Sequence, residues 1–137
     1  MKKKIVILNG VNLGELGTRE VDVYGAMSFE NYFLKLKTTF PELNLSYRQT
    51  NRVDELVEII LSKQYDGIVL NPGAYTHTSL VIADAIKAVE TPVIEVHISN
   101  LFGRENYRKN SMIASCCIGC VSGFGLRSYE LSLYYFK

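Results

Sequence analysis

PVIEVHISNLFGRENYR, residues 92–108, is the stretch from which the rest of the chain is read. Val93, Ile94, Val96 and Ile98 are β-branched, and Pro92 stands where a strand can begin. Side chains alternate along a strand. Glu95, His97 and Ser99 therefore share one face, and Ile94, Val96 and Ile98 the other. Polar groups on an otherwise apolar strand are costly unless each finds a partner. Glu95 and His97 can partner each other, because side chains two apart on one face are neighbours. A carboxylate on one ring nitrogen sets the imidazole tautomer. The other nitrogen is then free for general acid work. Arg104 and Arg108 follow, four apart, and share a face if a helix runs from about Glu105 to Ser111. The plainer alternative is a buried, satisfied Glu–His pair with two solvated arginines.

Working outward, strands and helices alternate. Lys4–Leu8 is a short apolar strand of the kind buried on both faces. Asn9–Gly25, NGVNLGELGTREVDVYG, holds four of the ten glycines and has no clear period. A loop of that length in a compact domain is usually functional or mobile. Ser28 caps a helix with Glu30 in its first turn and an apolar stripe of Phe29, Tyr32, Phe33 and Leu36. Pro41 ends it. Leu43–Gln49 is a second strand. Asn51 is expected to cap a second helix carrying Val53, Leu56, Val57, Ile60 and Leu61. Gly67–Leu70 is a third strand and leads into NPGAYTHTS, residues 71–79. Thr78 or Ser79 starts a third helix reaching about Val89. After the Val93–Ser99 strand, a fifth strand lies near Cys116–Ser122. Gly123–Gly125 turns the chain into a last helix, roughly Ser128–Phe136. This alternation implies an α/β fold, a doubly wound five-stranded parallel sheet with helices on both faces. Ligands of such sheets bind outside the carboxyl ends of the strands. The unusual polar residues fall in the loops at that end or beside them.

Composition narrows the function classes. The 137 residues suit one catalytic domain, residues 1–137. They are 47% hydrophobic and 21% charged, with a formal net charge of +1. That balance, without a basic stripe, speaks against a nucleic-acid partner. No apolar run approaches membrane-spanning length, and Ile5–Leu8 is too short for a signal h-region. A cytoplasmic protein is expected. Cys117-x-x-Cys120 has a redox spacing but lies in a strand-like run, so Cys116, Cys117 and Cys120 read as small buried apolar residues.

The phosphate-loop motifs fail: Gly10, Gly14 and Gly17 are not spaced as G-x-G-x-x-G, and no GK[ST] occurs. A receiver-type domain of the same architecture wants an acidic cluster after the first strand, where this chain has Asn9 and Asn12. No serine or cysteine sits in a nucleophile elbow. Glu95-x-His97 supplies two metal ligands, a weak signal. What remains is acid–base chemistry, with a histidine acid on a rigid strand and Arg19 and Tyr24 on the glycine-rich loop. A guanidinium beside a phenol lowers its pKa and makes it a usable base.

With these residues assembled, the chain resembles the type II 3-dehydroquinate dehydratases (type II dehydroquinases). The similarity is carried by NGVNLGELGTREVDVYG, NPGAYTHTS, IEVHISN, RENYR and the closing GFG, in that order over essentially the whole length. It implies a flavodoxin-like fold and an anti elimination of water from 3-dehydroquinate through an enolate, without metal or organic cofactor. By motif, Tyr24 matches the base that takes the C2 proton, and Arg19 matches the arginine that keeps it ionised. Asn12 matches the residue holding a water against the enolate oxygen. His97 matches the acid for the departing C1 hydroxyl, and Glu95 its orienting partner. Asn71, His77 and Arg108 match ligands of the substrate hydroxyls. Ile98 and Ser99 match the carboxylate site, with Arg104 nearby. Asp84 matches a residue reaching the neighbouring subunit's site in a homododecamer built from trimers. The departures are Val11 and Val21 where the family has proline, Gly14-Glu15 where it usually has Asn-Leu, and NRVDE after the second strand. Gly14 and Val21 widen the unfolded ensemble of the loop and bear on lid closure.

Overall fold

The computed structural model describes residues 1–10, 28–77, 79–103 and 110–137, with the His77 side chain left out. Five strands form one sheet: β1 (Lys3–Asn9), β2 (Leu43–Gln49), β3 (Gly67–Asn71), β4 (Val93–His97) and β5 (Gly119–Ser122). Their order is β2-β1-β3-β4-β5, and every pairing is parallel. Four α-helices are described, α1 (Phe29–Thr39), α2 (Val53–Leu61), α3 (Leu80–Lys87) and α4 (Arg127–Tyr134). The doubly wound parallel sheet expected from the alternation is the one observed, in the flavodoxin-like form that the resemblance implies.

Strand periodicity sorts the core into two layers. Ile5, Ile7, Val69, Ile94 and Val96 pack on Phe29 and Leu36 of α1 and on Tyr129 and Leu133 of α4. Val6, Leu8, Ile68, Leu70 and Val93 pack on Leu56 and Ile60 of α2 and on Ile82 and Ile86 of α3. Each such aliphatic side chain, taken fully out of water, contributes about 1.5–3 kcal/mol. Burial on both faces is why β1 and β3 read as unbroken apolar runs.

Local chemistry sets the boundaries. Ser28 caps α1 by accepting from the Asn31 N–H, and Ser79 caps α3 by accepting from the Ile82 N–H. Asn51 does not cap α2. The N-cap is Arg52, which makes no side-chain capping bond. The Asn51 amide oxygen instead accepts from Gln49 Nε2 at 3.1 Å, and its carbonyl accepts from the Tyr75 hydroxyl at 3.0 Å. Leu61, expected in the apolar stripe, is exposed at the last position of α2. The helix α3 ends at Lys87, short of Val89. The fifth strand is also shorter than expected, because Ala114–Cys116 forms a 3-10 turn before β5 begins. Ser111 Oγ accepts from the Ile113 and Ala114 N–H groups and closes that turn. The helix expected over Glu105–Ser111 lies mostly outside the described residues, and its last two residues, Asn110 and Ser111, are not helical.

The carboxyl ends of the strands meet along one rim. Asn9 is in register with both Gln49 and Asn71, and His97 with Ser122. Gly10 enters the first loop there, donating to the Asn71 carbonyl at 2.7 Å and accepting from Gln49 Nε2 at 3.1 Å. A Cβ on Gly10 would stand 2.5 Å from the Pro72 carbonyl oxygen, so only glycine lets these two backbones approach.

Candidate active site

On β4 the expected pairing is present. Glu95 Oε2 and His97 Nε2 lie 2.5 Å apart, with Glu95 fully buried and His97 5% exposed. The side chains two apart do share a face, the one covered by α2 and α3, while Ile94, Val96 and Ile98 enter the opposite layer. The bond occupies Nε2, and among the described residues His97 Nδ1 has no hydrogen-bond partner. Glu95 Oε1 is likewise buried without one. A carboxylate locked to a ring on a central strand holds the imidazole in one orientation at the mouth of the sheet.

The strand ends at His97, so Ser99 is not its last residue. Ile98 puts its side chain in the core, which leaves only its backbone for a ligand. Its carbonyl accepts from Gly125 N–H at 2.9 Å, and the His97 carbonyl accepts from Gly123 N–H at 3.2 Å. Gly123 and Gly125 have φ of 98° and 62°, the left-handed region that glycine reaches without strain. The closing GFG segment thus fastens the end of β4. Ser99 is half-buried, and its carbonyl accepts from Ser122 Oγ at 3.2 Å.

Asn71 ends β3 on the other face of the sheet, 3% exposed. Its Nδ2 donates to the Tyr129 hydroxyl at 2.9 Å, and its Oδ1 accepts from Gly73 N–H at 3.1 Å. The Tyr129 hydroxyl in turn donates to Asn9 Oδ1 at 2.8 Å. Complete burial pushes the Tyr129 phenol far above its ordinary range, so it stays neutral and keeps donating. Sequence reasoning missed Tyr129: a tyrosine in an amphipathic helix looks like core. The one signal was two asparagines ending apolar strands, each needing a buried partner. Asn71 is therefore partly engaged within the protein, with one N–H and one lone pair left for a ligand.

His77 closes the 3-10 turn Gly73–His77 that follows β3. Asp84 is exposed on α3, away from the Glu95–His97 pair on β4, with Leu80 and Val81 also exposed one turn before it. Asn12, Arg19, Tyr24, Arg104 and Arg108 lie outside the described residues.

The cysteines differ from expectation at one position. Cys116 and Cys117, at the 3-10 turn before β5, are half-buried and pack against the core as expected, whereas Cys120 is exposed on the edge strand β5. Burial, and then the Glu95 carboxylate, push the Cys117 thiol up to about 12 and the Cys120 thiol up to about 11. Neither is the low-pKa thiolate of a redox pair.

A parallel flavodoxin-like sheet with a buried carboxylate–imidazole pair at its ligand end defines a small-molecule α/β protein equipped for acid–base chemistry. The Dehydroquinase class II family model matches residues 3–137. The 3-dehydroquinate dehydratase of Caldicellulosiruptor saccharolyticus is 48% identical over 98% of this chain and 97% of its own. That of an Exiguobacterium species is 46% identical over 96% and 92%. The crystal structure of type II dehydroquinase from Propionibacterium acnes superposes with a TM-score of 0.93 at 37% identity, covering 98% of this chain and 96% of that one. The chain belongs to the class II dehydroquinase family.

Proposed function

We propose that the protein is a 3-dehydroquinate dehydratase, a hydro-lyase that removes water from 3-dehydroquinate by anti elimination to give 3-dehydroshikimate, in the shikimate or quinate pathway. The observation that carries the reading is the buried 2.5 Å contact between Glu95 and His97 at the carboxyl end of β4. Tyr24, kept ionised by Arg19, takes the C2 proton, and the electron pair moves onto the carbonyl oxygen as an enolate. A water held by Asn12 stabilises that oxygen. The enolate then collapses, the C1–O bond breaks, and His97 protonates the departing hydroxyl from Nδ1 while Glu95 holds Nε2. Water leaves, and the new double bond is conjugated with the ketone. Preorganised donors at the developing charge supply much of such a rate enhancement.

Asn71, His77 and Arg108 bind the ring hydroxyls, with Ile98, Ser99 and Arg104 at the carboxylate. The free N–H of Asn71 and the backbone at residues 98–99 support that placement. Residues 1–137 act as one catalytic domain in the cytoplasm, and no helix among the described residues is long and apolar enough to cross a membrane. Subunits assemble into a dodecamer of trimers in which Asp84 serves the neighbouring site. Supporting this, Leu80 and Val81 are 62% and 56% exposed on the same side of α3 as Asp84, an apolar face that a second copy would cover. The test is the ultraviolet absorbance of the conjugated enone when 3-dehydroquinate is added. Turnover is expected to survive exhaustive chelation and borohydride treatment with substrate, since acid–base chemistry needs neither metal nor lysine imine. Loss of activity under chelation, or a mass increase on one lysine, would overturn the reading.

A further inference from the structure

The thiol of Cys120 is in register with Glu95 across the β4–β5 pairing. Residues paired on adjacent parallel strands share a face. Cys120 therefore joins Glu95 and His97 on the side of the sheet where that pair lies. One donor atom from each of the three falls within 4.8 Å of the others. We propose that Glu95, His97 and Cys120 form a binding site for a thiophilic divalent cation, zinc(II) above all, and that filling it switches the enzyme off.

Three features of the site support this. First, Glu95 is 0% exposed, and among the described residues its Oε1 has no hydrogen-bond partner. A buried carboxylate with an unpartnered oxygen is expensive, and a divalent charge on the same carboxylate would offset that cost. Second, the donor set is one nitrogen, one sulfur and one oxygen. That mixture suits zinc, whereas magnesium and calcium want oxygen alone. Three protein ligands leave the fourth tetrahedral position to water. Third, one of the three ligands is open to solvent. Cys120 is exposed and lines an open cavity of about 700 Å³ beside Leu101, Phe102 and Ser122. Donors bound to zinc at roughly 2.0–2.3 Å stand roughly 3.3–3.8 Å apart in a tetrahedron. Binding thus requires the sulfur to move inward by about 1 Å and the 2.5 Å Glu95–His97 contact to open by a similar amount. The cation takes the place of the proton in that contact, which moves to Nδ1 or to solvent. Cys120 releases its thiol proton to solvent, and no electron is transferred.

The binding stands on geometry alone. The inhibition rests on the reading of His97 as the acid. The experiment keeps the two apart by using cobalt(II) as a spectroscopic probe on the full chain and zinc(II) in the dehydratase assay. Wild-type protein is expected to bind one cobalt with a thiolate charge-transfer band. Cys120→Ser is expected to lose the band and keep its basal turnover. The double variant Cys116→Ser/Cys117→Ser is expected to keep the band, which excludes a site made by the cysteine run. Stoichiometric zinc is expected to inhibit wild type, with recovery on chelation, and Cys120→Ser to need about tenfold more zinc or beyond. No thiolate band, or equal zinc sensitivity in wild type and Cys120→Ser, would overturn the site. A band lost only in the double variant would do the same. A band lost in Cys120→Ser together with full turnover of the cobalt-loaded wild type would establish the site, overturn the inhibition and count against His97 as the acid.

Discussion

Two buried polar clusters sit at the same rim of the sheet, on opposite faces. Tyr129, Asn9 and Asn71 form one, and Glu95 with His97 the other. The first is neutral and nearly closed on itself: its hydroxyl both donates and accepts, and among the described residues Asn9 Nδ2 is its one atom without a partner. The second carries ionisable groups and holds one short contact, and among the described residues Nδ1 and Oε1 have no partner. A neutral cluster can position and hydrogen-bond what surrounds it, as the spare N–H of Asn71 does in the proposed substrate site, but it has no proton to exchange. An open one can exchange a proton or take up a ligand. The contrast teaches that burial alone does not mark a catalytic group. Ionisable groups with unspent valence at the ligand end of the sheet are what the proposed chemistry draws on.

The sharpest way to break the comparison is His97→Ala. Dehydration is expected to fall about 10²–10⁴-fold, the usual worth of a general acid, measured by enone absorbance. Exchange of the C2 proton with deuterated solvent, followed by NMR, is expected to persist because Tyr24 and Arg19 remain. Exchange lost together with dehydration would show that His97 does more than protonate the leaving hydroxyl.

Tyr129→Phe should act on stability instead. It strips a partner from Asn9 Oδ1 and Asn71 Nδ2, which costs about 1–3 kcal/mol in a buried network. The denaturation midpoint should drop by the matching amount, with a rate loss much smaller than that of His97→Ala. A large kinetic effect without destabilisation would move Tyr129 from scaffold to chemistry.

The smallest effect is read at Cys120. With its thiol pushed from 9.0 to about 11 by burial and then by the Glu95 carboxylate, alkylation of Cys120 should be slow at neutral pH and rise toward about 11. The unfolded thiol ionises at the lower value, so its contribution to stability is present below pH 9 and is lost as pH rises through about 11. Glu95→Gln should move the alkylation midpoint down, since it removes the carboxylate's share. An unchanged midpoint in that variant would mean that Glu95 carries no charge beside the sulfur.

Much of this was legible from residues alone. Strand and helix alternation, the two-sided apolar runs of β1 and β3, the Ser28 and Ser79 caps and the sharing of one face by Glu95 and His97 are local consequences of period and side-chain type. What the sequence could not decide depends on distant partners. Asn51 failed as a cap because Gln49 and Tyr75 claimed its oxygens. All three cysteines looked like core, but Cys120 lies on the sheet's edge strand, and edge position follows from pairing order rather than from composition. Tyr129 lies 120 residues from Asn9, and no pattern in either neighbourhood predicts their bond. Cys120 stands beside Glu95 only through the β4–β5 register. By itself the sequence determined the fold class, the family and the pairing of Glu95 with His97, because helix and strand periods and contiguous motifs are short-range properties. The tertiary structure decided which polar atoms are spent and which remain open, because that depends on what the folded chain brings within hydrogen-bonding distance.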